Sequence, residues 1–498
     1  MTATAQTGAL AVVLIVLPVG APLVSAALAA LLGWRRAIGA GHVIAAALIL
    51  ASGVVAATRT AGGASLALGS WLRIDALSAV MLIVIGAVGI VATSAGLTYP
   101  TGSTERRAKV YGVLVPLFLA AMVLAVVANN LGLLWAAIEA TTIVTAFLVG
   151  HRPTRKAIEA TWKYVIICSV GIALAYLGTV LVHYAARQAG VDEHASLDWT
   201  ALSTHAADLD PGVMRLAFAL VVLGFGAKAG MVPLHTWLPD AHSQAPAPVS
   251  ALMSGVLLPV AVYALLRYRV IAVAAISPGF VRALLLTIAL VSLAVAASLL
   301  LTQRDYKRLL AYSSIEHMAL VLVGAAIGTP LAIAAALLHI VGHGLSKAVL
   351  FCGAGEILNK TGTTAINGVR GLLGRVPLLA GAFGVGLVAL LGLPPFSLFA
   401  SELGLVRAGL AAGHGWIMAV TLALLLVVFI AIATKVAPML FGDGSVVVTD
   451  AGTGSVSAIP WTTAVPLVVA LVVVAVLGVA DWPLGSLLHT AGLIVGTP

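Results

Sequence analysis

The chain has 498 residues, 61% of them hydrophobic and 9% charged, with a mean hydropathy of +1.14. These proportions exclude a water-soluble domain, and apolar runs of roughly 20 residues recur along the length, each able to cross a hydrocarbon core of about 30 Å. The formal net charge of +9 sits mostly in short loops, where it marks the cytoplasmic face of a membrane protein rather than a nucleic-acid partner.

The expected fold is all-α, a polytopic membrane protein of about 14 transmembrane helices. The predicted spans are 8–33, 37–58, 74–98, 110–128, 131–150, 157–186, 212–238, 246–272, 279–302, 307–327, 330–358, 375–411, 415–441 and 460–481. Strands are not expected, because barrel segments are shorter and alternate in polarity. The first run lacks a basic flank and a cleavage site, so it reads as a retained span. About 14 basic residues, from Arg35 to Arg375, fall in loops on one side, against about 8 near the other. That places the first side in the cytoplasm and both termini outside.

The fifth span carries Glu139 within Leu134-Trp135-Ala136-Ala137-Ile138-Glu139. An ionised carboxylate at that depth needs a nearby cation. Lys163, in Trp162-Lys163-Tyr164, stands near the inner end of the sixth span, either coupling to the interior or snorkelling to the surface. The seventh span holds Lys228, followed by Gly230 and Pro233. A charge at membrane depth marks a functional group, and a broken backbone there is tolerated only where protein or cavity water satisfies it. Lys228 is the expected partner of Glu139, and a pair that can separate is a lever on proton loading. His235 and Asp240 beyond the break mark a cytoplasmic entrance, whereas Asp240 and His242 read equally well as solvated loop residues.

The tenth span contains Ser313-Ser314-Ile315-Glu316-His317-Met318. Glu316 and His317 project about 100° apart, so they are not expected to share one narrow stripe. His317 is the water-wire member, and Glu316 its tuning partner or the partner of a neighbouring helix. In the eleventh span His339, His343 and Lys347 recur every fourth residue, a stripe roughly 12 Å long that suits a proton relay. No carboxylate or cysteine is spaced with these histidines to complete a metal site. The twelfth span repeats the Gly/Pro break at Gly392-Leu393-Pro394-Pro395 and follows it with Glu402. Two such breaks five spans apart suggest inverted repeats with a site at their interface. The resulting division is 1–109, a three-helix segment; 110–272, a first repeat with broken helix 212–238; 279–441, a second with broken helix 375–411; and 442–498, a loop and last span.

Cys168 and Cys352 lie far apart, and no CxxC pair exists. Two cysteines cannot ligate an iron–sulfur cluster alone. No phosphate loop, zinc motif or nucleophile elbow appears. No catalytic residue and no cofactor site are expected in this chain, so the driving force comes from an ion gradient or from partner subunits.

The stretch Pro233-Leu234-His235-Thr236-Trp237-Leu238-Pro239-Asp240-Ala241-His242, with Ala245-Pro246-Ala247-Pro248-Val249-Ser250, Lys307-Arg308-Leu309-Leu310-Ala311-Tyr312-Ser313-Ser314 and Gly342-His343-Gly344-Leu345-Ser346-Lys347, resembles the antiporter-like membrane subunits of respiratory complex I. That family also includes subunits of multisubunit Na+/H+ antiporters and of group 4 [NiFe] hydrogenases. Ser313–Met318 and Phe399-Ala400-Ser401-Glu402-Leu403-Gly404 resemble its hydrogenase-4 component F and formate-hydrogenlyase branch. The resemblance implies that Glu139 and Lys228 are the functional pair, Lys347 the central lysine, Glu402 the twelfth-span ionisable group, and His317 and His343 the channel histidines. It implies a proton-translocating subunit of a redox-driven complex in a prokaryotic cytoplasmic membrane. Its partners would be other membrane subunits and, through them, peripheral redox subunits. Those would carry iron–sulfur clusters and, in a hydrogenase, a NiFe site. A subunit of a Na+/H+ antiporter, moving Na+ as well as protons, and an inactive scaffold are the alternatives. The chain departs from many relatives at Pro259, where an eighth-span lysine is usual. The route from Lys228 to the centre then runs through water, through His317, or stops there.

Overall fold

The computed structural model describes residues 5–6, 8–98, 104–443, 459–480 and 482–496. Among the described residues, thirteen helices are long and apolar enough to cross a membrane, or 14 if one bent pair counts as a span. Helices α1 (Ala9–Leu32), α2 (Arg36–Thr60) and α3 (Ala76–Gly96) come first. Three short strands form a small sheet around them: β1 (Ala5–Gln6), β2 (Ser65–Leu68) and β3 (Leu72–Ile74). Strands were not expected. β2 and β3 lie in the linker where the chain doubles back between α2 and α3 and pair antiparallel, and β1, ahead of α1, pairs parallel with β2. They form no barrel.

Helices α4 (Glu105–Val127), α5 (Leu131–Val149), α6 (Arg155–Gln188), the short α7 (Trp199–Thr204) and α8 (Pro211–Lys228) follow. The chain then breaks and resumes as α9 (Trp237–Gln244). The predicted span 212–238 thus runs past its limit to Gln244. Next, α10 (Ala247–Leu252), a π-turn (Met253–Leu257) and α11 (Leu258–Ala275) form one continuous rod, buried through its middle. Helices α12 (Pro278–Thr302), α13 (Tyr306–Ile327) and α14 (Pro330–Thr361) succeed it. The second break separates α15 (Pro377–Leu390) from α16 (Ser397–Ala411). At about 1.5 Å per residue neither half crosses the bilayer core alone. Helices α17 (Gly415–Phe441) and α18 (Trp461–Val479) precede a short last helix, α19 (Trp482–Val495), which had no place among the predicted spans. Arg269 ties α19 down by donating to the Val495 carbonyl (2.5 Å) and to that of Ala325 (2.7 Å). Most of the loop expected after residue 442 lies outside the described residues.

Helices α3, α11, α13 and α14 form the buried centre, and the others present apolar faces outward. Small residues bring the central rods close together, as membrane helices require. A Cβ on Gly255 would come 2.9 Å from the Gly344 carbonyl oxygen, and one on Gly344 equally close to that of Gly255. The π-turn therefore lies directly against α14. On the other side of the bundle, a Cβ on Gly224 of α8 would sit 2.4 Å from the Ala175 nitrogen of α6. That close crossing sets the distance between the two helices that hold Lys228.

The two breaks share a design. Gly230 and Gly392 both have positive φ, 80° and 63°, and each is followed by a cis X-Pro bond, Val232–Pro233 or Pro394–Pro395. The freed backbone groups at the first break find partners. The Trp237 indole donates to the Ala227 carbonyl (2.9 Å), Met231 N to Gly226 (2.8 Å), and Val232 N to the Ser292 hydroxyl (3.0 Å). Unpaired groups at this depth would cost several kcal/mol each.

Candidate functional site

Lys228 is the last residue of α8, and its side chain is 1% exposed. Its Nζ donates to Tyr164 Oη (2.7 Å) and Thr142 Oγ1 (2.9 Å) and stands 4.9 Å from the Tyr164 ring. Thr142 in turn donates to Glu139 Oε2 (3.0 Å). The expected Glu139–Lys228 pair is therefore bridged by a hydroxyl rather than in direct contact. One turn of α5 puts Thr142 over Glu139, between the carboxylate and Lys228. Tyr164 also bonds Thr145 Oγ1 (2.5 Å).

The sequence reading attended to Lys163 and missed its neighbour Tyr164. The signal was present: Ala157, Ala160, Tyr164, Cys168, Gly171 and Ala175 recur at helical spacing and form the buried face of α6. Lys163, one step round the helix, lies 46% exposed and pairs with Glu159 (2.6 Å) and Asp240 (3.1 Å). It snorkels to the rim. Asp240 also pairs with Arg308. His235 is half-buried, and among the described residues its Nδ1 has no hydrogen-bond partner. His242 is not a solvated loop residue. It is fully buried on α9, stacks on Phe351 of α14 (5.2 Å between ring centres), and neither ring nitrogen has a hydrogen-bond partner.

The second cluster lies on α13, α14 and α16. Lys347 is fully buried and donates to the Leu310 carbonyl (2.6 Å) and to the Ser313 hydroxyl. His317 Nδ1 lies 3.0 Å from His339 Nε2, and His339 Nδ1 2.9 Å from Ser401 Oγ. The His317 and His343 rings are 4.9 Å apart, and His343 Nε2 lies 3.3 Å from the Ser254 carbonyl oxygen. His317 Nε2 is 3.4 Å from Glu316 Oε2. Of the two expected roles for Glu316, this contact is that of a partner to His317. Their side chains are long enough to curl towards each other despite the angle between their Cβ directions. Glu316 and Glu402 also line one cavity of about 30 Å³.

Directionality follows from the fixed donors and acceptors. The Ser254 carbonyl can only accept, so His343 carries its hydrogen on Nε2. Ser401 donates its hydroxyl to the Leu398 carbonyl (2.8 Å), so His339 must donate from Nδ1 to Ser401. The neutral His339 then accepts at Nε2, and His317 donates from Nδ1. That leaves the bare Nε2 of a neutral His317 facing the Glu316 carboxylate at 3.4 Å without a hydrogen bond.

Pro259 explains the Ser254 carbonyl. In the π-turn Leu258 N bonds the Met253 carbonyl, five residues back. The next such bond would join residue 259 to Ser254, and proline has no N–H to make it. The freed carbonyl goes to His343 instead. Ser254 Oγ meanwhile bonds Ser314 Oγ (2.7 Å). At Pro259 the eighth span thus offers a backbone acceptor. Among the described residues, side-chain hydrogen bonds organise one group around Lys228 and another around His317. None runs from one to the other.

Sequence spacing along α14 gave no third metal ligand, but the fold supplies one from α16. A nitrogen of His317, a nitrogen of His339 and a carboxylate oxygen of Glu402 all lie within 4.8 Å of one another. Gly392 makes room for that carboxylate, since a Cβ there would fall 2.4 Å from Glu402 Oε2.

A helical bundle with two broken spans and buried lysine, histidine and glutamate groups lining its centre defines a polytopic membrane protein of the antiporter-like class. The chain belongs to the family described as NADH:quinone oxidoreductase/Mrp antiporter, TM, which matches residues 128–430. The hydrogenase-4 component F homolog of Methylacidiphilum infernorum (isolate V4) is 38% identical over 342 residues, covering 67% of this chain and 71% of that protein. Hydrogenase-4 component B of Escherichia coli (strain K12) is 33% identical over 343 residues, covering 66% of this chain and 50% of that longer protein. Among solved structures, a chain of the membrane-bound sulfane sulfur reductase, an archaeal respiratory membrane complex, superposes with a TM-score of 0.86 at 25% identity, covering 97% of each chain.

Proposed function

We propose that the chain is the proton-translocating membrane subunit of a redox-driven complex, of group 4 hydrogenase or formate-hydrogenlyase type. Protons enter from the cytoplasm near His235 and Lys228, pass His317, His339, His343 and Lys347, and leave near Glu402. Water carries them between the two clusters, because no side chain does. The iron–sulfur and NiFe chemistry belongs to peripheral partner subunits, and the protein sits in a prokaryotic cytoplasmic membrane with both termini outside. The two matching breaks support a division into inverted repeats, 110–272 and 279–441. The observation that carries the reading is the environment of Lys228: a buried ammonium held by two hydroxyls, with its carboxylate one hydroxyl away. Such a group gains or loses its partner with a small movement, and with it the balance between charged and neutral forms.

In the assembled complex, Lys228→Ala is expected to abolish proton pumping coupled to electron transfer while leaving the redox reaction of the partner subunits measurable. An unchanged ratio of protons pumped per electron pair would overturn the proposal. Pumping that disappears without sodium ions would assign the chain to the antiporter reading instead.

A further inference from the structure

We infer that His317, His339 and Glu402 form a binding site for a zinc-class divalent cation in the middle of the bundle. The inference rests on the geometry of this cluster and is independent of the proton-translocation reading. His317 Nδ1 and His339 Nε2 are 3.0 Å apart. Two ligands on a tetrahedral zinc, each about 2.0 Å from the ion, stand about 3.3 Å apart. The imidazoles are therefore already at the spacing that one ion requires. A carboxylate oxygen of Glu402 lies within 4.8 Å of a ring nitrogen of each histidine, and Glu402 borders a cavity of about 30 Å³. It closes on the ion by a side-chain rotation.

The outer partners match what zinc ligands need. A ligating histidine donates its second N–H to a carboxylate, carbonyl or hydroxyl, which fixes its ring. His339 already donates from Nδ1 to Ser401. His317 Nε2 is buried without a hydrogen bond and faces Glu316 at 3.4 Å. When an ion takes the place of the hydrogen between the two rings, that hydrogen moves to His317 Nε2 and is received by Glu316. The orphaned nitrogen is then satisfied. Charge also balances, since the ionised carboxylates of Glu402 and Glu316 together neutralise a divalent cation, as a buried charge requires. Two imidazoles with one carboxylate select zinc or a similar transition ion over sodium, magnesium or calcium, which prefer oxygen ligands.

The test uses the full-length chain purified in detergent and stripped with a chelator. Zinc titration by calorimetry is expected to show one high-affinity equivalent per chain. X-ray absorption of the zinc-loaded protein should show two imidazole nitrogens and a carboxylate oxygen. His339→Gln and Glu402→Gln should each weaken binding at least tenfold, and His489→Gln, at an exposed histidine elsewhere, should not. Absence of a high-affinity equivalent, or an absorption spectrum without imidazole, would overturn the inference. So would affinity unchanged in both His339→Gln and Glu402→Gln. Should either variant fail to fold, the absorption spectrum of the unmodified protein decides.

Discussion

Thr142 is the most exposing position to perturb. Its hydroxyl joins Glu139 Oε2 at 3.0 Å to Lys228 Nζ at 2.9 Å. The charges are thus no more than about 6 Å apart, worth about 3 kcal/mol at an effective dielectric constant of about 20. Direct contact at about 3 Å would be worth roughly twice that. The difference, about 3 kcal/mol, is a factor of about 100 in the population of the two arrangements. Thr142 therefore holds the pair at an intermediate strength, tight enough to keep Lys228 partnered and loose enough to release it. Thr142→Val keeps the shape of this buried residue and removes the hydroxyl. Two hydrogen bonds to charged groups are lost, each worth about 1.5–3 kcal/mol. The expected outcome is a 10- to 100-fold slower coupled proton uptake, measured with a pH-sensitive dye in inverted vesicles containing the assembled complex. Thr142→Ser restores the rate. In a Glu139→Gln background, Thr142→Val loses most of its effect, because there is no longer a charge to bridge. A Thr142→Val complex that pumps at the unmodified rate, or a Thr142→Ser variant as slow as the valine one, refutes the bridge.

Further expectations concern the centre and the frame. Pro259→Ala returns an N–H that competes with His343 for the Ser254 carbonyl. One hydrogen bond's worth of competition, about 1 kcal/mol, should slow pumping several-fold with no loss of thermal stability in detergent; equal pumping would show that this carbonyl does not orient His343. Arg267 makes a bidentate pair with Asp75, both contacts at 2.7 Å, and also bonds Tyr263 and Ser78. Arg267→Met should destabilise the protein by about 3–5 kcal/mol, and the double variant Asp75→Leu/Arg267→Met by less, because the buried bidentate pair goes as a unit and only the partly exposed Arg73, 3.7 Å from Asp75, loses a carboxylate. Thermal unfolding in detergent reads both, and a double variant as unstable as the single one contradicts the pairing. Burial alone would raise the Asp75 carboxyl, but the charge and hydrogen bonds of Arg267 hold it well below the usual carboxylate range. Its contribution is present above its unfolded value of about 3.9 and drains away as the pH falls towards the folded one. Asp75→Asn should therefore flatten the acid limb of the stability curve.

Composition and periodicity alone determined that this chain is a helical membrane bundle, that two of its spans are broken, and which ionisable residues lie within the apolar segments. The reason is energetic. An apolar solvent forces backbone bonds inside each segment and makes every retained charge conspicuous, so Lys228, His339, His343, Lys347 and Glu402 stand out from their surroundings. Tertiary structure decided everything that depends on which helices meet. Hydroxyls are inconspicuous in sequence, so the roles of Thr142, Tyr164 and Ser401 became visible only once α5, α6, α8, α14 and α16 were packed together. Pro259 read as a missing lysine, and only the π-turn against α14 turned it into a free carbonyl aimed at His343. Helical spacing relates residues along one rod and says nothing about the neighbouring rod. For that reason Glu402 beside His317 and His339, and His242 buried against Phe351, belonged to the fold to decide.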